Sequence, residues 1–357
     1  MTIDERLAAV AVRVPDVLLP VAGVDLSRWA VVACDQFTSQ PDYWAEADRL
    51  VGDEPSTLRL VFPEVHLDEP DADRRIASIN ERMRAYVDGG LLRTLTRTMV
   101  LVGRTTAAGT KRWGLMLALD LDAYSWEAGS RTPIRATEGT IVDRLPPRVR
   151  IRENAVLELP HIMVLVDDPA RTVIEPLVAR RHLLEQVYDT DLMLGGGHVT
   201  GWAVSADDDL SEVADALAVL AGRVAPANPL LYAMGDGNHS FATAKSIWES
   251  LRTGLSEAER LDHPARFCLV ELENIFDEGL TFEPIHRVLF GVSREVFEAE
   301  LARHCGAYGF EPATSLADLR DLMAGSGQRI GFGSEAGLGV YVLEGADGAI
   351  PAATVQH

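Results

Sequence analysis

The segment Pro229-Leu-Leu-Tyr-Ala-Met-Gly-Asp-Gly-Asn-His-Ser-Phe-Ala-Thr-Ala-Lys-Ser-Ile-Trp248 begins as a short apolar strand (230–234), turns at Gly235 and Gly237, and continues as a helix. Phe241, Ala244, Trp248 and Leu251 recur at offsets of three and four, which puts them on one helical face. Asp236, Asn238 and His239 therefore fall at a strand-to-helix junction, where backbone N–H groups and the positive end of the helix dipole favour an anion. The two glycines permit positive φ and a close approach of backbone to ligand. A tight turn with an Asn or Ser cap and no ligand satisfies the same pattern, so the motif needs support from the rest of the chain.

Around it lies a chain of 357 residues, enough for two domains or one large α/β domain at about 150 residues per domain. The hydrophobic share of 47% with 24% charged residues excludes disorder as the main state. No apolar run reaches the roughly 18 residues of a membrane helix, because residues 8–21 are broken by Arg13, Pro15, Asp16 and Pro20. The acidic, polar start is unlike a secretory signal, and a cytoplasmic protein is expected. Cys34, Cys268 and Cys305 are widely spaced and form no CxxC pair, so we expect buried thiols, with no zinc, no haem and no disulfide framework. The net charge of −21 opposes nucleic acid and anionic membrane surfaces as partners. A small-molecule or nucleotide ligand remains possible where local cations or a metal offset that field.

Strand-like runs at 29–34, 58–65, 98–104, 113–121, 161–166 and 267–275 alternate with helical patterns at 71–88, 171–188, 211–221 and 294–305. Residues 98–121 read as an antiparallel hairpin and 329–343 as a glycine-rich one. The expected fold is α/β to α+β, with mixed sheets and flanking helices. Two regions are expected: 1–165, with an arginine-rich loop, and 166–357, carrying the 235–240 turn. The final residues lack a closing element, and a longer chain is expected.

Residues 131–152 hold six arginines in an otherwise acidic protein. Arg135, Arg144 and Arg148 offer planar donor forks suited to phosphate oxygens, although such a loop also serves as a solvated partner for carboxylates. Glu138 and Asp143 beside them are candidate magnesium ligands. Asp35, following an apolar run, is a candidate acid or base. Gly195-Gly-Gly-His198 lacks the Lys-Ser/Thr of a phosphate loop and reads as a bulge within a hairpin. His286 with Arg287 reads as a packing pair.

The segments ACDQFTSQPDYW (33–44), RATEGTIVDRLPPRVRIRENA (135–155), LPHIMVLVDDP (159–169), GDGNHSFATAK (235–245) and PIHRV (284–288) occur in that order. Together they resemble the domain-of-unknown-function 1015 family, often given a ParB-like label, over nearly the whole chain. The wider ParB/sulfiredoxin-like superfamily includes CTP-binding partition proteins, sulfiredoxin and kinases of free serine. The resemblance implies a strand-turn-helix site whose Asp-Gly-His-His-Arg motif contacts nucleotide phosphates. Asp236, Gly237 and His239 match that motif, while Asn238 stands at its first His and Ser240 at its Arg. The absent Arg removes a phosphate contact, for which Lys245 or Arg144 is the expected substitute. Glu138, Asp143 and Arg144 correspond to the family's acidic and basic element, with Thr137 where many members carry His.

The leading expectation is a nucleotide-dependent phosphotransferase, kinase-like, using magnesium with a nucleoside triphosphate or diphosphate and acting on free serine or a related hydroxyl compound. Gly235, Gly237, Asn238, Ser240, Lys245, Arg144 and Arg148 would bind phosphate, and Asp236, His239 and Asp35 would serve catalysis. The alternative is a non-enzymatic nucleotide- or anion-binding regulator, with no DNA binding.

Overall fold

The computed structural model describes residues 1–107, 109–127, 129–137, 140, 145–159, 162–280 and 288–343. The chain divides into two compact units, Met1–Leu280 and Thr281–His357. The larger is built on a ten-stranded mixed sheet. Its strands run in the order Tyr124–Ser125, Ile134–Arg135, Tyr232–Asp236, Met163–Val166, Phe267–Asn274, Lys111–Asp120, Met99–Thr105, His198–Val204 and Glu185–Asp191. Val12–Arg13 adds to Lys111–Asp120 off this path. Most pairs are antiparallel, but Phe267–Asn274 runs parallel to Met163–Val166, and Ile134–Arg135 runs parallel to both Tyr232–Asp236 and Tyr124–Ser125.

Alternation divides the sheet into two faces. One is apolar and carries Leu115, Leu117, Val164, Val166, Tyr232, Met234, Val270 and Leu272 into the main core. Leu210, Val213 and Leu217 of the helix Asp207–Arg223 and Phe241 and Trp248 of the helix Asn238–Arg252 complete that core. Trp248 is fully buried, yet its indole Nε1 donates to Asp122 Oδ1 at 2.8 Å, so its one polar atom is satisfied. The other face lines a cavity described below.

Among the described residues of the smaller unit, a three-stranded antiparallel sheet (Tyr308–Ala313, Gly337–Leu343, Gln328–Ser334) packs with the helix Arg294–Cys305. Tyr341 is buried at the centre and donates its hydroxyl to Glu298 Oε1 at 2.8 Å. Arg294 lies 3.9 Å from the ring centroid of Phe310.

The mixed sheet with flanking helices agrees with the sequence, as do both hairpins. Three expected elements differ. Residues 29–34 follow a short helix, Leu26–Trp29, and form no strand. Residues 58–65 form the 3₁₀ turns Thr57–Arg59 and Glu64–His66. The helix expected at 171–188 is confined to Glu175–Arg180, beginning with Pro176 in its first turn, and the chain then enters the strand Glu185–Asp191.

Candidate functional site

The motif strand is irregular at the place that matters. Tyr232 opposes Val166, Ala233 opposes Leu165 and Met234 opposes Val164, but the register then shifts and Asp236 opposes Met163. Gly235 is the extra residue of a β-bulge. Strict alternation would send Asp236 into the core with Tyr232 and Met234; the bulge turns it onto the face of Met163. There it lines an open cavity of about 1580 Å³ with Ile162, Met163, Cys34, Gln36 and Glu271 among its walls.

Gly237 follows with φ 77° and ψ 24°, a left-handed conformation that costs an L-residue steric strain. A Cβ there would also lie 3.0 Å from Ile162 Cγ1 and 3.1 Å from Ile162 Cα. Asp236 Oδ1 accepts the Gly237 N–H at 2.7 Å and so shapes the turn. Gly237 holds the N-cap position of the 15-residue helix Asn238–Arg252 and supplies no capping side chain. The positive end of the helix dipole therefore lies at the turn with no capping side chain from Gly237. Asn238 is buried, and among the described residues its Oδ1 has no hydrogen-bond partner. An unsatisfied buried acceptor of this kind carries a desolvation cost that a ligand or water donor would relieve.

His239 and Ser240 are half-buried in the first helical turn, where the His239 carbonyl accepts the Thr243 hydroxyl at 2.7 Å. Phe241, Ala244 and Trp248 form the buried face as expected, but Leu251 is exposed and Lys245 is buried instead. Lys245 Nζ pairs with Glu249 at 2.5 Å, which neutralises it. Arg148 lies on a helix, Leu145–Arg152, that packs against the motif helix, and it pairs with Glu64 at 2.5 Å. That helix replaces part of the expected arginine-rich loop. Upstream, Ile134–Arg135 pairs with Tyr232 and Ala233, and the Thr137 hydroxyl donates to the Met234 carbonyl at 2.7 Å. The two segments singled out in the sequence are therefore neighbours. Glu138, Asp143 and Arg144, like His286 and Arg287, lie outside the described residues.

Cys34 and Gln36 line the cavity, while Asp35 between them in sequence is not part of its lining, and its Oδ1 is buried without a hydrogen-bond partner among the described residues. Burial, with the charges of Asp35 and Glu64, pushes the Cys34 thiol up to about 12 against the opposing charge of Arg148. A thiol so raised is a poor nucleophile. Among the described residues no group of three or more His, Cys, Asp or Glu could hold a metal ion, and no helix is long and apolar enough to cross a membrane.

Sequence reading missed Glu271 and Glu273. Their signal was present, since two carboxylates two residues apart in the apolar run Phe267-Cys-Leu-Val-Glu-Leu-Glu-Asn274 must share one face of a strand.

Fold and site together define a mixed α/β protein in which a bulged strand, a glycine turn and a helix N-terminus meet at the wall of a large cavity. The chain belongs to the family described as "protein of unknown function (DUF1015)", whose model matches residues 18–346. Neither a curated protein nor a solved structure matches it.

Proposed function

We propose that the 235–240 turn binds the phosphates of a nucleoside triphosphate or diphosphate, and that the protein transfers the terminal phosphoryl group to a small hydroxyl compound, free serine being one candidate. The observation that carries this reading is the position of Asp236: one carboxylate at once in the cavity wall and at the N-terminus of a helix whose N-cap is a glycine. Magnesium takes one or two carboxylates together with phosphate oxygens and water, and an exposed carboxylate beside a phosphate-binding turn suits that donor set. Glu138 and Asp143 are the further ligands in this scheme. The metal would offset charge on the phosphates. The positive end of the helix Asn238–Arg252 would face the phosphate.

In the transfer, the acceptor oxygen bonds to the terminal phosphorus, and the bond from that phosphorus to the bridging oxygen breaks. The nucleotide leaves one phosphate shorter, and the hydroxyl proton passes to a base, for which Asp35 and His239 are the candidates from the sequence. The ParB/sulfiredoxin-like parentage of the turn and a cytoplasmic setting belong to this reading. A second reading, a non-catalytic nucleotide- or anion-binding regulator, draws support from the carboxylate partners of Lys245 and Arg148, which reduce the positive charge on offer. Neither reading includes nucleic acid.

Calorimetry with ATP, ADP and CTP, each with magnesium, tests the reading on wild type and Asp236→Ala. We expect binding of at least one nucleotide and its loss in the variant; no binding of any by the wild type refutes it. Phosphorus NMR of the products then separates transferase from regulator.

A further inference from the structure

The cavity wall that carries Asp236 holds a second polar cluster. In one transverse row of the sheet Asp236 opposes Met163, Met163 opposes Glu271, and Glu271 opposes Met116. Neighbouring strands lie about 4.8 Å apart, so the Cα atoms of Asp236 and Glu271 are separated by about 10 Å. Both residues line the one cavity.

Glu271 has a seat cut for it. Its carboxylate lies over Gly114, where any Cβ would overlap it, and the Tyr188 ring lies over Gly201 in the same way. Gly114 and Gly201 both pair with Val102, so the two glycines clear one continuous row of the floor. Arg112 reaches both carboxylates: its Nη2 is 3.7 Å from Glu271 Oε2, and its Nε is 2.9 Å from Glu273 Oε1, near enough for an ion pair though out of line for a hydrogen bond. Arg104, close by, donates instead to the carbonyls of Thr105 and Gly196. Glu273 is fully buried. Glu271 is mostly buried, and among the described residues its Oε1 has no hydrogen-bond partner.

Burial raises the proton affinity of both carboxyls, and Glu273, next to Glu271 and Asp277, is pushed up to about 8. Burial thus favours a proton held between the two carboxyls. With Arg112 beside it, the cluster is close to charge-neutral and suits an uncharged hydroxyl better than a carboxylate. Tyr188, its own ionisation pushed up by burial and by Glu271, stays neutral as well.

We propose that this end of the cavity is the acceptor subsite, with Glu271 receiving the proton of a small alcohol's hydroxyl while the terminal phosphate is held at Asp236. The inference rests on the phosphotransfer reading of the turn. Glu271 touches the acceptor, while Arg112 and Glu273 are positioning residues that set its charge.

The test supplies wild type and Glu271→Gln with magnesium and ATP or ADP, and with glycerol or L-serine as acceptor, following products by phosphorus NMR and nucleotide affinity by calorimetry. Removing a proton acceptor costs transfer at least about 100-fold, with nucleotide affinity unchanged and the acidic limb of the pH–rate profile gone. Gly114→Ala keeps the carboxylate but displaces it from its seat, and it too should bind nucleotide and lose transfer. Undiminished transfer by Glu271→Gln overturns the inference and leaves the nucleotide site standing. Failure of the wild type to bind any nucleotide overturns both.

Discussion

Replacing Gly237 by Ala adds one methyl group and tests the geometry of the turn directly. At φ 77° a Cβ meets its own backbone, at a cost of about 1 kcal/mol or more. The same Cβ would stand 3.0 Å from Ile162 Cγ1 and 3.1 Å from Ile162 Cα. The side-chain carbon can yield by a rotamer change, but the Cα is backbone of the neighbouring strand segment, and overpacking of this kind adds about 1 kcal/mol. The sum is a loss of about 2–3 kcal/mol. Urea unfolding followed by tryptophan fluorescence reads it cleanly, because all six tryptophans lie in Met1–Leu280 and report that unit alone. Gly222→Ala is the control: it lies in the helix Asp207–Arg223 with open space around its Cβ, so it should gain about 0.5–1 kcal/mol. Gly237→Asn separates the two terms, since Asn tolerates the left-handed region yet still meets Ile162. A Gly237→Ala variant as stable as wild type would refute the reasoning. Equal losses for Ala and Asn would leave the Ile162 contact as its sole cause.

Glu273 supplies a pH prediction. Its pKa is raised from 4.5 to about 8, so between those values the folded chain keeps a proton that the unfolded chain releases. Stability therefore falls as pH rises through this window, by up to about 1.4 kcal/mol per pH unit, and levels off above it. Glu273→Gln should flatten that slope and gain on wild type at alkaline pH; parallel curves for the two proteins in urea melts would contradict this. For the thiols, Cys268 is fully buried and Cys34 is raised to about 12, leaving Cys305 the most reactive. Titration with an aromatic disulfide at mildly alkaline pH should find no more than one thiol in the native protein and all three after unfolding; rapid reaction at Cys34 would show its burial to be misjudged.

Local periodicity carried the motif, because a short strand, two glycines and a helical face all lie within twenty consecutive residues. It failed at 29–34 and 58–65 for one reason. Leu58, Leu60 and Phe62 are buried, as an apolar run predicts, but burial is met by 3₁₀ turns packed in side clusters, and no strand pairing is required. An apolar run shows that residues are covered and says little about what covers them. The bulge at Gly235 was hidden because a glycine there reads equally well as the start of the turn. Glu271 and Glu273 were visible as a polar face, and only the assembled sheet reveals that this face looks into a cavity. The arginines of 131–152 illustrate the converse: three of the six, Arg148, Arg150 and Arg152, each pair with a carboxylate and so offer less charge than the sequence suggests.

The bulge also makes Asp236 a pin for strand pairing. Ironing out the extra residue at fixed length would carry the carboxylate into the core beside Met234 and Val164, and burying an unpaired charge costs several kcal/mol. The ladder between Tyr232–Asp236 and Met163–Val166 is thereby held in its irregular register by the charge that the register exposes. An apolar residue at 236 would release that constraint and let the strand straighten, so the position answers to the pairing of the sheet whatever ligand the cavity takes.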